Sequence, residues 1–156
     1  MGEGFNFKNL KKNILLLSDA SEWEAARKEW HLVDVIESEE PETCLCGHYP
    51  IIEICTIRNT ITKNCADVGN RCVKKFLGIN SDKIFSALKR IRKDLAKSLN
   101  VDSIVFFKER RTITGWEYDF LLDTRLKREL SEKQLSKRKA INEKILSLVA
   151  RRGLHC

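Results

Sequence analysis

Five of the six cysteines in this 156-residue chain fall within 29 residues, at Cys44, Cys46, Cys55, Cys65 and Cys72; the sixth, Cys156, is the last residue. A thiolate can bind a soft metal ion, attack an electrophile or pair with a second sulfur, and a neutral thiol packs as a small hydrophobe. Spacing helps to separate these uses. The first pair reads Cys44-Leu45-Cys46-Gly47-His48. A glycine directly after the second cysteine permits a tight turn with positive φ, in which backbone amides point at the sulfurs. Downstream, Val68-Gly69-Asn70-Arg71-Cys72-Val73 places a cysteine just after residues that can start a helix, with Gly78 as its stop. Helix-start amides and the dipole favour a thiolate there.

Between these segments the sequence predicts a hairpin. Ile51 to Ile57 is apolar and β-branched, Asn59-Thr60 and Lys63-Asn64 supply turn residues, and Cys65 to Val68 can return as a short strand. Knuckle, hairpin and a helix with a cysteine in its first turn form the layout of a treble-clef zinc site, which needs four tetrahedral N or S donors. Cys44, Cys46 and Cys72 are three of these. Cys65 is placed fourth because it keeps the site all-thiolate, with Cys55 and His48 as alternatives; Cys55, mid-strand, also suits a core position. Four protein ligands make the Zn2+ structural, stabilising the module by about 10 kcal/mol or more. The competing account, six ordinary packed cysteines, explains the knuckle glycine and the helix-start cysteine less well.

The other elements follow from pattern. Phe5, Phe7, Leu10 and Ile14 suggest a short helix in a poorly patterned N-terminus. Ser21-x-x-Glu24 reads as a capping box for a helix from Glu22 to Trp30, with Trp23, Ala26 and Trp30 on one buried face. Leu32 to Ile36 reads as a strand, and Glu37 to Glu42, with four glutamates and a proline, as an acidic loop. Ser81 is expected to cap a long amphipathic helix over about 82–98, and Ile104 to Phe107 favours a strand by propensity, with a helix as the alternative. Capping boxes at Thr114-x-x-Glu117 and Ser131-x-x-Gln134 start helices over about 115–128 and 132–151. The first is expected to bury Trp116, Phe120 and Leu121, and the second Leu135, Ile141, Ile145 and Leu148, ending before Gly153. The expected fold is α+β: a small treble-clef-like zinc module within an N-terminal α/β part, residues 1–79, and an all-helical basic region, residues 80–156.

Charge divides at the same place. Residues 1–79 carry 10 basic and 12 acidic side chains, net −2, and residues 80–156 carry 19 and 10, net +9, of a chain total of +7. A field of that sign attracts polyanions, above all nucleic acid. The residues expected to contact phosphates are Arg58, Arg71, Lys74 and Lys75 around the cysteine module, and Lys89, Arg90, Lys93, Lys137 and Arg138 in the helical part. Phosphate contacts of this kind give a strong salt dependence and little sequence selectivity.

The segment Cys44-Leu45-Cys46-Gly47 … Ile57-Arg58-Asn59-Thr60 … Val68-Gly69-Asn70-Arg71-Cys72-Val73 … Phe76 resembles a small zinc-finger module of uncharacterised bacterial, phage and plasmid proteins. Gly115-Trp116-Glu117 … Phe120 … Leu130-Ser131-Glu132-Lys133-Gln134 … Ile141-Asn142-Glu143-Lys144-Ile145 is similar to a helical tail that accompanies such modules in mobile-element proteins. The two cover roughly 65 residues. They imply a DNA- or RNA-associated accessory factor, with Cys44, Cys46 and Cys72 as ligands.

Other functions fit less well. A protein-interaction regulator docking on a host or phage enzyme is the runner-up. For a nuclease only His48 among the three histidines is well placed, and no partner set stands at matching spacing; the Walker, G-x-S-x-G, H-E-x-x-H and deaminase patterns are absent. No purely apolar run is longer than that of Ile14 to Leu17, far short of the roughly 20 residues a bilayer needs. Phe5 to Leu17 mixes lysines and asparagines into its apolar residues and no small-residue cleavage site follows. It does not read as a signal peptide, so the expected location is the cytoplasm, or the host cytoplasm if the chain is phage-encoded. In that reducing compartment the cysteines are not expected to pair, and Cys156 is expected to be free.

Overall fold

The computed structural model describes residues 4–150 and Cys156. Helix and strand are mixed, and the fold is α+β. Contacts divide the chain into two compact units, residues 4–81 together with Cys156, and residues 82–150.

The first unit is built on a three-stranded antiparallel sheet in the order β1-β2-β3. β1 is Trp30–Glu42, β2 is Ile51–Asn59 and β3 is Cys65–Gly69. The hairpin β2–β3 pairs Ile54 with Gly69, Cys55 with Val68 and Arg58 with Cys65. β1 runs on through the glutamates expected to form a loop, with a break in register between Glu37 and Glu42. That end can stay in the sheet because its side chains are largely exposed. Both sheet faces carry buried side chains, Val35, Cys55, Ile57 and Val68 on one and Ile36 and Ile54 on the other, and Leu10 and Ile14 of α1, Phe5–Leu16, are buried as well. Asn70–Lys75 forms the short α3 directly after β3.

The expected helix over Glu22 to Trp30 shrinks to α2, Trp23–Ala26, and a 3₁₀ turn, Arg27–Glu29. No side-chain cap forms at Glu22. A different demand prevails: buried Glu29 accepts from the amides of Asp19 and Ala20, both at 2.9 Å, and from Asn59 Nδ2 at 2.8 Å. Asn59 Oδ1 in turn accepts from the amides of Ile61 and Thr62 in the β2–β3 turn. Trp30 is therefore the first residue of β1, buried, with its indole N–H donating to Ser18 Oγ at 2.9 Å.

The second unit is helical: α4 Asp82–Lys93, α5 Val101–Glu109, α6 Gly115–Thr124 and α7 Glu132–Val149. Ile84, Phe85, Leu88 and Ile91 of α4 meet Ile104 and Phe107 of α5, Leu121 of α6, and Ile141 and Ile145 of α7 in a buried core. The two capping boxes expected in this unit form, at Thr114 with Glu117 and at Ser131 with Gln134.

Several expectations change. α4 stops at Lys93 rather than continuing to 98, because Asp94 Oδ1 takes the amide of Ala96 and α7 holds the carbonyls that follow. The 104–107 segment is helical, capped by Asn100 Oδ1 on the amide of Ser103, so the helix alternative prevails over β propensity. Trp116 is 59% exposed and Phe120 half-buried, so only Leu121 of the three joins the core. On α7, Val149 is buried while Leu135 and Leu148 are half-buried. Position 151 and Gly153 lie outside the described residues. Among the described residues no helix is long and apolar enough to cross a membrane.

Candidate metal centre and basic surfaces

Cys44, Cys46 and Cys72 converge: their three sulfurs lie within 4.8 Å of one another and all three residues are buried. Local geometry accounts for the first pair. Gly47 sits at φ +94, its amide donating to Cys44 O at 2.8 Å, and the amide of Cys44 donates to His48 O at 2.9 Å. A side chain at position 47 would be strained by that φ and would also press on Asn9 Nδ2 at 3.1 Å. The turn aims amides at sulfur: Cys46 N to Cys44 Sγ at 3.5 Å and His48 N to Cys46 Sγ at 3.4 Å. The amide of Gly69 adds a third, to Cys44 Sγ at 3.2 Å. Cys72 enters from α3, immediately after that strand end.

α1 clamps the knuckle from outside the motif. Asn9 Nδ2 donates to Cys46 O and Asn13 Nδ2 to Leu45 O, both at 2.9 Å. The spacing of four residues puts both amides on one helix face. Sequence reading missed this pair; the visible signal was two asparagines at i and i+4 among apolar positions.

The electrostatics suit a cation. Cys44 is drawn down to about 5, first by the hydrogen bond from the Cys72 thiol, against burial, and then by the amides of Cys46 and Gly69. Cys72 is pushed up, first by that same hydrogen bond and then by burial. Cys46 is raised, chiefly by burial. Of the three, Cys44 is the sulfur most readily ionised, and a bound cation would favour the thiolate form of the others. With bonds of about 2.3 Å, the sulfurs of a tetrahedral zinc–thiolate site stand roughly 3.8 Å apart. Sulfurs within 4.8 Å of one another are near that spacing, and the buried cluster could hold a metal ion.

The fourth-ligand expectation is corrected. Cys65 is disulfide-bonded to Cys156, with Cα atoms 6.3 Å apart, so neither sulfur is free. Cys65 begins β3 while Gly69, beside Cys44, ends it; four strand residues span about 13 Å. The expectation of unpaired cysteines and a free Cys156 falls with it. Cys55 is a core residue: fully buried, its thiol donates to Ser81 Oγ at 3.4 Å, and burial pushes it up to about 12. His48 is exposed and contributes its amide rather than its ring. Among the described residues the close cluster consists of the three cysteines.

The basic residues fall in both units. Arg71, Lys74 and Lys75 are exposed on α3, and Arg58 is half-buried on β2. In the helical unit Lys89, Arg90 and Lys93 are exposed on α4, and Lys137 on α7 sets its ammonium 5.1 Å from the centre of the exposed Trp116 ring. Trp116 stacks on Phe120 at 5.3 Å. Arg138 does not belong with these. It is 6% exposed, and its guanidinium donates to Ala96 O at 3.0 Å and Thr124 O at 2.6 Å. It binds the chain's own carbonyls, so the expectation that it contacts phosphates is corrected.

No protein-family model, curated protein or solved structure matches this chain.

Proposed function

We propose that this is a zinc-stabilised nucleic-acid-binding accessory protein, of phage or mobile-element type, whose N-terminal module is a treble-clef-like zinc unit. The observation that carries the zinc reading is the convergence of the buried Cys44, Cys46 and Cys72 sulfurs with three backbone amides directed at them. All-sulfur donors favour zinc over hard cations, and three cysteines, two in a turn and one in a helix, supply three of the four positions of a tetrahedral ion. The nucleic-acid reading is supported by the net +9 of residues 80–156 and by exposed basic side chains on α4 and α7.

The test pairs two measurements on purified protein. Elemental analysis should return one zinc per chain. A single-stranded and a double-stranded oligonucleotide should each be titrated at two salt concentrations, with binding weakening steeply at the higher one. Metal-free protein, or binding indifferent to salt, overturns the corresponding half of the reading. Capture of a protein partner that survives nuclease treatment would favour the docking-regulator reading instead.

A further inference from the structure

A cleft of about 460 Å³ opens in the helical unit between α4, the α4–α5 connection and the end of α6. Its polar lining is Ser86, Arg90, Ser98, Asn100 and Arg125, with Leu126 at the edge; no carboxylate is among the described residues that line it. Arg90 is exposed and Arg125 half-buried, and neither side chain has an ion pair or hydrogen bond among the described residues. The amide nitrogen of Asn100 is already committed to Lys83 O, and the neighbouring acid, Asp94, turns its carboxylate to the amide of Ala96.

Arg138 is buried beside this region, its Nε without a hydrogen-bond partner, and burial first and then the like charge of Arg90 hold it below its ordinary value. Two unpaired guanidinium forks and two serine hydroxyls around one opening match an oxyanion with several acceptor atoms. The volume is large enough for a nucleotide-sized group.

From this we infer that the Arg90–Arg125 cleft binds a phosphoryl group carried by a nucleic acid, either a backbone phosphodiester or a terminal phosphate. The carrier rests on the nucleic-acid reading above; the anion site rests on the cleft itself. Arginine rather than lysine at both positions favours bidentate pairing with phosphate oxygens over diffuse attraction.

The test uses the full chain in its metal-bound form. Inorganic phosphate is titrated while amide and arginine Nε–H NMR signals are followed. Saturable shifts confined to Arg90, Arg125, Ser86 and Ser98 are expected, and saturation elsewhere, or none, overturns the site. Oligonucleotides with a 5′-phosphate and with a 5′-hydroxyl are then compared on wild type, Arg90→Gln/Arg125→Gln and Arg90→Lys/Arg125→Lys. The Gln pair should lose about tenfold in oligonucleotide affinity or more, the Lys pair less, with melting unchanged in both. A preference for the 5′-phosphate identifies a terminal phosphate, and equal binding a backbone one. Wild-type affinity in the Gln pair overturns the inference while leaving the general nucleic-acid reading standing. Phosphate saturation without any oligonucleotide binding keeps the anion site and removes its carrier. Equal, arginine-dependent binding of a polyglutamate peptide overturns the phosphoryl specificity.

Discussion

The amide of Gly69 donates to Cys44 Sγ at 3.2 Å, joining the end of β3 to a turn 25 residues earlier in the chain. Position 69 has little room: a Cβ there would meet Ile51 Cγ2 at 3.3 Å. The strand end, the knuckle and the start of α3 thus meet at one sulfur, and the hairpin register that pairs Gly69 with Ile54 positions the cluster.

Cys72→Ser should abolish stoichiometric metal binding, whereas Cys65→Ser should retain one metal per chain. The sulfur of Cys72 is in the cluster, and that of Cys65 is bonded to Cys156. Cys55→Ala should also retain the metal while costing about 1–2 kcal/mol for the small cavity it leaves. Elemental analysis, with the charge-transfer absorbance of the cobalt-substituted forms, separates the three variants. Metal loss in Cys65→Ser would sink the assignment.

Asn9→Ala and Asn13→Ala should each destabilise the first unit by about 1 kcal/mol, since each leaves a knuckle carbonyl without its donor. Chelator competition should also strip metal faster from the double variant, because the turn carrying Cys44 and Cys46 loses its brace to α1. Metal release at the wild-type rate would show that the clamp acts on stability alone.

Glu29 should make the first unit acid-sensitive. Its carboxyl is held below the usual range, first by Asn59 and then by the amide of Asp19, against burial and with help from the amide of Ala20. A depressed folded-state pKa contributes stability that is fully present above the unfolded value, about 4.3, and is lost as pH falls through the lower folded value. Thermal melts between pH 6 and about pH 3 should therefore fall less steeply for Glu29→Gln than for wild type. Parallel slopes would remove Glu29 as the source.

What the sequence revealed depended on how local the cause was. The two capping boxes, the β2–β3 hairpin and the convergence of Cys44, Cys46 and Cys72 follow from residues close together or from a recognisable turn, and were legible. The failures involve distant partners. Ser21 and Glu24 form a capping pattern, yet Glu29 and Asn59, 30 residues apart, shape that segment instead. Ile104 to Phe107 carries strand propensity, but the cap at Asn100 and the core around Leu88 and Ile145 make it helical. Cys65 looked like a ligand by type; its sulfur is taken by Cys156, 91 residues away, a pairing that no local spacing announces.

Arg138 and Lys137 are adjacent on α7 and should fail in opposite ways. Arg138 reaches Ala96 O and Thr124 O, and Asn142, one turn on, donates to Leu95 O and Lys97 O at 2.9 Å. Together they hold the backbone where α4 ends, so Arg138→Met leaves two carbonyls without their donor and should cost about 2–4 kcal/mol. Its oligonucleotide affinity, measured well below the lowered melting temperature, should stay near wild type. Lys137→Ala loses only an exposed contact with Trp116, about 0.5–1 kcal/mol. If Lys137 touches a phosphate, binding should weaken uniformly across sequences, and the slope of log affinity against log salt should become shallower by about 1. Melting curves and salt titrations on both variants decide the matter. A stable Arg138→Met that no longer binds nucleic acid would return Arg138 to the binding surface.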